Sequence, residues 1–269
     1  MSRWSTSREQ GTRPLILLTN DDGIASPGLH ALARAVADLG DVIVVAPRHQ
    51  QSSTGRALGP IGPLRPERIP TDGHLVTAYS VEATPASAVR AGVLLAAQRP
   101  VTLLIAGINY GENVGIGVTA SGTVGCAIEA ASFGIPSIAI SLETDTAHHF
   151  SHSEAVDFAA AAAFARRLAQ YALARPFPPG ADILKVDVPS DATPETPWRL
   201  TRLTRQRYYE PTVVEGPDGS PRLRGYHRHV TAATLEPDSD AKALLVDRVI
   251  SVCPLTIDLS VTIQGGTEF

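Results

Sequence analysis

Cysteine is scarce in this chain: Cys126 and Cys253 are the only two, far apart and in mixed sequence. That excludes a disulfide-framed domain and fits a reducing compartment. Clustered Cys and His at zinc-site spacing are also missing. No apolar run reaches the roughly 20 residues of a membrane-spanning helix, and the stretch from Met1 to Arg13 lacks the apolar core of a signal peptide. A cytoplasmic protein without a membrane partner is expected, with residues 1–13 as a disordered extension. A basic excess is absent too. The net charge of -4 argues against a nucleic-acid duplex as partner. No Walker A sequence is present, which disfavours ATP- or GTP-driven chemistry, and no G-x-S-x-G elbow marks a serine hydrolase.

What is there begins with Leu15-Ile16-Leu17-Leu18, which runs into Thr19-Asn20-Asp21-Asp22-Gly23. A short aliphatic run bounded by turn residues reads as a strand buried on both faces of a parallel sheet. Its carboxyl end is where open α/β sheets bind ligands. Two adjacent carboxylates repel, and a divalent cation is the simplest compensation; a solvated turn before a helix cap is the alternative. The composition, 43% hydrophobic and 19% charged over 269 residues, suits one large domain or a domain with a sizeable extension.

Further along, Ser26-Pro27-Gly28 starts a helix that Gly40 ends, and Val42 to Ala46 is a second buried strand, completing a βαβ unit. A polar loop with Ser52 and Ser53 follows. Ala57 to Thr71 reads as an irregular excursion, His74 to Ser80 as a strand, and Thr84-Pro85 as the opening of an Ala-rich helix. Val101 to Ala106 is a strand leading into a glycine-rich loop, Gly107 to Gly117. Ser121-Gly122-Thr123 opens a helix over Val124–Phe133. Pro136 to Ile140 and Ile183 to Val188 are strands, with a long helix over roughly Ser153–Ala174 between them. From about Pro194 the texture changes, and Arg199–Tyr209, Leu223–His229, Val249–Val252 and Leu255–Ile263 read as strands with no long helix. The expected organisation is an α/β core over 14–193 and a β-rich extension over 194–269, attached to that core or reaching to a partner subunit.

Three loops therefore leave the carboxyl ends of predicted parallel strands carrying Asp21 and Asp22, Ser52 and Ser53, and Asn109 and Asn113. Carboxylate, hydroxyl and amide oxygens make a hard site suited to Mg²⁺ or Mn²⁺. The glycine loop and the helix start at Ser121-Gly122-Thr123 read as a phosphate cradle, because backbone N–H groups and the helix dipole face an anion there; a surface loop with an ordinary cap is the alternative. His148, His149 and His152 read as solvated rather than metal-binding. Arg48, Arg56 and Lys185 could neutralise a substrate, with surface solvation as the other reading.

Taken together, these segments resemble the SurE family of survival-protein phosphatases. ILLTNDDG with SPGL resembles the family's opening ILLxNDDGxxAPG. VVAPRHQQSS resembles its VVAPxxxxSG, while AGINYGENVG and SGTVGCAIEA resemble SGINxGxNxG and SGTVxAAxEG. VDVP at 186–189 and SVCPL at 251–255 are similar to its weaker late motifs. The resemblance implies a Rossmann-like three-layer α/β/α core with a mostly parallel sheet and a C-terminal β-hairpin extension that assembles a homodimer or homotetramer. It also implies a metal-dependent phosphomonoester hydrolase acting on a small phosphorylated substrate, most simply a nucleoside 5′-monophosphate (5′/3′-nucleotidase). Its metal ligands fall on Asp21, Asp22, Ser52 and Asn109, holding one divalent cation per subunit, and Asp21, Asp22 and Asn109 are the candidate catalytic residues. Asn113, Ser121, Gly122 and Thr123 match its phosphate pocket, and Asn20, Ser53 and Gly111 complete the candidate substrate set.

Several positions depart from the family pattern. Ser53 stands where Gly or Ala is usual, Arg248 where Gly is usual, Arg56-Ala57 replaces a His/Asn-Ser pair, Ala83 and Ser87 replace a Gly and an Asp, and Thr256 stands where some members carry His. These departures keep two alternatives open: a phosphatase specialised for a phosphorylated sugar, nucleoside analogue or pathway intermediate, and a catalytically silent nucleotide-binding protein.

Overall fold

The computed structural model describes residues 12–260. Leu15–Thr19 (β1) is buried along its whole length. Its pleat sends Ile16 and Leu18 into one apolar cluster and Leu15 and Leu17 into another, on opposite faces. That two-sided burial is why the run is continuously aliphatic rather than alternating. The elements that follow are α1 (Pro27–Val36), β2 (Asp41–Pro47), β3 (Arg65–Glu67), β4 (Val76–Val81), α2 (Pro85–Ala91), β5 (Leu103–Tyr110), α3 (Gly122–Ser132) and β6 (Ser137–Leu142). They continue with α4 (Ala159–Ala174), β7 (Ile183–Val188), β8 (Trp198–Leu200), β9 (Tyr209–Glu215), β10 (Pro221–Arg228), α5 (Asp240–Leu245) and β11 (Ile250–Leu255).

Nine strands form one sheet in the order β3-β4-β2-β1-β5-β6-β7-β11-β8. From β4 to β7 the neighbours run parallel, while β3 and β11 pair antiparallel with the edges of that block and β8 runs parallel to β11. Helices α1 and α4 pack on one face, where Leu29, Leu32, Phe164 and Leu168 join the larger cluster. Helices α2 and α3 cover the other with Val89, Cys126 and Ala130. Each fully buried Leu or Ile stabilises by about 1.5–3 kcal/mol relative to exposure, so the three layers are held chiefly by this aliphatic filling. The chain builds outward from β1 through β2 to β4, then returns to start β5 on the other side of β1. The carboxyl ends of β1 and β5 thus flank the switch point, where such sheets leave a crevice.

Several elements differ from the sequence reading. The long helix begins at Ala159 rather than near Ser153, because the preceding segment is tied elsewhere. Tyr110 Oη donates to the Ser153 carbonyl (3.0 Å), and Asp157 accepts from Ala159 N (2.8 Å), capping the helix late. The strand expected over Arg199–Tyr209 is two strands, β8 in the sheet and β9 in a separate hairpin with β10. Between them Thr204 N is drawn off to Asp240 (2.9 Å). The excursion after Ala57 contains the short β3, and the last third contains the short α5, started by Ser239 accepting from Lys242 N (3.2 Å). Of the strand expected over Leu255–Ile263, only Leu255 belongs to a strand, 256–260 do not, and 261–263 lie outside the described residues. Residues 1–11 of the expected extension lie outside them too, whereas Arg13 bonds the Gly40 carbonyl (2.9 Å).

Candidate metal and phosphate site

Asp21 and Asp22 stand in the turn after β1, 4% and 1% exposed. Asn20 makes that turn: its side chain donates to the Gly23 carbonyl (3.0 Å) and accepts from Gly23 N (3.1 Å). Fully buried, it shapes the loop and does not line the pocket. Asp21 accepts from the Thr123 hydroxyl and from the Gly122 and Thr123 amides at the start of α3. Asp22 accepts from Gln50 (3.2 Å) and Tyr110 N (3.3 Å). Desolvation raises the Asp21 carboxyl despite those donors, and desolvation together with the Asp21 charge raises Asp22 well above the usual range. Among the described residues the partners of the two carboxyls are neutral donors, the Thr123 hydroxyl, the Gln50 amide and backbone N–H groups. Two buried, uncompensated carboxylates are costly, and a divalent ion fits that deficit.

The other oxygens lie along the same pocket. Ser52, in the loop after β2, accepts from Gln50 (3.0 Å). Asn109, near the end of β5, commits its amide nitrogen to the Gly111 (2.6 Å) and Tyr110 (3.2 Å) carbonyls, which leaves the amide oxygen for a ligand. Asp21, Ser52, Ser53, Asn109, Gly111, Asn113 and Ser121 all line one cavity of about 390 Å³. Asp22, Gly122 and Thr123 lie behind it and contact the pocket through Asp21. Gly122 approaches so closely that a methyl on its Cα would stand 2.6 Å from Asp21 Oδ2. Ser121 caps α3 by accepting from Val124 N (3.1 Å).

A buried ion triad holds the glycine loop. Lys185 Nζ, fully buried on β7, binds Asp187 (2.5 Å), Asp240 (2.7 Å) and the Asn113 carbonyl (3.0 Å). Asp187 in turn accepts from Asn113 N and Asp240 from Gly115 N, both at 2.8 Å. Burial alone would push Lys185 down, but the two carboxylates outweigh it and hold the ammonium above the usual lysine range. Lys185 is thus neither solvated nor facing a substrate. Arg56 pairs with buried Glu129 (2.8 Å) and Arg48 with Glu82 (3.1 Å), so each has an ion-pair partner within the fold.

The sequence reading missed the far wall. Glu112, inside the glycine loop and 4% exposed, accepts from Tyr208 (2.8 Å), Tyr209 (2.7 Å) and Arg228 (2.7 Å). Those partners lie in and around the β9–β10 hairpin, beyond local pattern. His149 is buried rather than solvated: its Nδ1 meets Tyr226 Oη (2.7 Å), its Nε2 has no partner, and burial lowers its affinity for a proton. His152 Nε2 bonds the Asp22 carbonyl (2.9 Å). Tyr208, Tyr209, Tyr226, His149 and Phe150 add aromatic rings to the lining that carries the oxygen donors, with the His149 carbonyl accepting from the same Gln50 amide that reaches Asp22 and Ser52.

Fold and site together define an α/β/α protein of the kind that gathers hard oxygen donors and an anion-binding helix start at the switch point of a parallel sheet. The family model described as "Survival protein SurE" matches residues 16–210. The chain belongs to the SurE family. Proteins named 5′-nucleotidase SurE from Thermococcus gammatolerans and Thermococcus kodakarensis are 45% and 42% identical to it, aligned over 93% of this chain and 92% and 95% of theirs. The crystal structure of SurE protein from Aquifex aeolicus superposes with a TM-score of 0.74 at 33% identity, covering 92% of this chain and 95% of that one. Among the described residues no helix is long and apolar enough to cross a membrane.

Proposed function

We propose that this chain hydrolyses phosphomonoesters, with nucleoside 5′-monophosphates as substrates, and that it uses one Mg²⁺ or Mn²⁺ held by Asp21, Asp22, Ser52 and Asn109. The observation that carries the reading is the buried Asp21–Asp22 carboxylate pair beside a pocket lined by Ser52, Asn109 and aromatic rings. Relatives at 45% and 42% identity bear the name 5′-nucleotidase, and the family's chemistry is metal-dependent. When bound, the cation supplies Lewis-acid polarisation of a phosphoryl oxygen and lowers the pKa of a water.

The chain's own residues do the rest. Ser53, Asn113 and Ser121 face the phosphoryl oxygens as donors fixed before substrate arrives, while Gly111, whose N–H is held by the Leu142 carbonyl (2.8 Å), lines the pocket without a side chain. Gly122 and Thr123 orient Asp21, and Asn20 holds the turn that carries it. One of the two carboxylates takes the proton of the attacking water, a task suited to a group whose pKa burial has raised. Tyr209 and Tyr226, part-buried on the pocket lining, would pack against a nucleobase. We further propose that 14–193 carries the chemistry, and that the chain after 194 supplies this wall and a contact for a homodimer or homotetramer.

Phosphate release from a panel of nucleoside monophosphates and sugar phosphates, with Mg²⁺, Mn²⁺ or EDTA, tests the proposal. Cation-dependent turnover of AMP or GMP is expected. Turnover that survives EDTA, or a preference for sugar phosphates, would overturn it.

A further inference from the structure

The β9–β10 hairpin has a second face. Its strands pair with Glu210 opposite His227, Tyr209 opposite Arg228 and Pro211 opposite Tyr226, after a register shift between Leu223 and Tyr226 where Gly225 takes a φ of 68°. Side chains alternate from there. Tyr209, Tyr226 and Arg228 turn inward to Glu112 and His149, and the neighbouring positions 210, 227 and 229 turn outward. Without the bulge, His227 would exchange faces with Tyr226 and Arg228.

We infer that Glu210, His227 and His229 form a second metal site on this outer face, one that takes a transition ion of the Zn²⁺ class and is separate from the all-oxygen site. One ligand atom from each of the three lies within 4.8 Å of the others, and His229 Nδ1 is already 2.8 Å from Glu210 Oε2. Ligands on a tetrahedral ion with bonds near 2.0–2.1 Å stand about 3.3 Å apart. Rotation of partly exposed side chains closes the remaining gap. Two imidazoles and one carboxylate select a borderline metal over Mg²⁺, which demands oxygen. His227 Nδ1 meets Thr212 Oγ1 at 3.2 Å. That contact fixes the ring and leaves Nε2 for the metal, as outer-shell partners of histidine ligands do. Three protein ligands leave a position open for water.

The test is zinc binding by the full chain, stripped of metal and then held in excess Mg²⁺. Equilibrium dialysis is expected to find one Zn²⁺ per chain that Mg²⁺ does not displace, and Co²⁺ in its place is expected to give the visible bands of a low-coordinate site. His227→Gln and His229→Gln each abolish that equivalent, while Asp21→Asn retains it. Thr212→Val weakens it by about tenfold, in line with other outer-shell losses. Retained zinc in both histidine variants, or zinc lost only in Asp21→Asn, would overturn the assignment. Circular dichroism of each variant separates lost binding from lost folding: a histidine variant that keeps the native spectrum and loses the ion supports the site. The outcome does not depend on the phosphatase reading.

Discussion

At Gly122 the margin between a working and a broken site is one methyl group. A Cβ there would meet Asp21 Oδ2 at 2.6 Å and Asp21 Cβ at 2.7 Å, so the carboxylate must move. Displacing a catalytic group by about 1 Å costs about 100-fold in rate, which is the loss of kcat/KM expected for Gly122→Ala with the fold intact; turnover with AMP reads it. The carboxylate pair itself trades stability for function. Because the Asp22 carboxyl is raised in the fold, the folded chain holds more protons than the unfolded one between the ordinary carboxylate value and the raised one. Metal-free stability therefore falls as pH rises through that window. A divalent ion binds only the deprotonated pair, so the rise in Tm from EDTA to Mn²⁺ grows from pH 5 to pH 8; equal shifts would contradict the assignment. By the same logic Asp22→Asn, which removes the buried charge, is expected to abolish turnover and to flatten the pH dependence of the metal-free Tm. Ser53 (φ 62°) and Arg248 (φ 50°) both take left-handed backbone, which favours glycine. Arg248 offsets the strain with ion pairs to Glu143 (2.8 Å) and Asp191 (2.5 Å).

Among the elements, the glycine loop depends on groups far from it in sequence. Asn113 and Gly115 are held by Asp187 of β7 and Asp240 of α5, with Lys185 between the two carboxylates. Removing one partner leaves a buried charge poorly compensated, so Asp240→Ala is expected to cost about 3–5 kcal/mol in urea unfolding. Asp240→Asn keeps the Gly115 acceptor and should lose less. Turnover should fall further in the alanine variant than in the asparagine one if the loop, rather than the charge, is what matters. The elements legible in the sequence were those whose information is local. β1, β2 and β5 are buried on both faces and therefore read as unbroken aliphatic runs, and the Ser121 cap precedes its helix by one residue. Lys185 was not legible, because its environment is set by Asp240, 55 residues on. His149 and Glu112 likewise take their meaning from Tyr226, Tyr208, Tyr209 and Arg228, beyond any local window.

Across the whole molecule, the last third of the chain does two things. Strands β8 and β11 extend the main sheet, while β9 and β10 leave it to cover the pocket. The hairpin exposes Val213 and Leu223, opposite each other in register and 64% and 74% accessible. An apolar cross-strand pair left in water is an unusual choice unless another surface covers it. Val213→Asp with Leu223→Asp is expected to shift the mass in multi-angle light scattering to that of a single chain, about 28 kDa. An unchanged mass would remove the hairpin from the subunit contact.

Asp240 has one more consequence, and it concerns time rather than space. The glycine loop is clamped by a residue that a ribosome adds 125 positions after Gly115. Domains fold as units during synthesis, so the α/β layers can collapse while the site is still slack. Nascent chains arrested before α5 should carry the three layers and no turnover, and activity should begin abruptly once α5 has emerged.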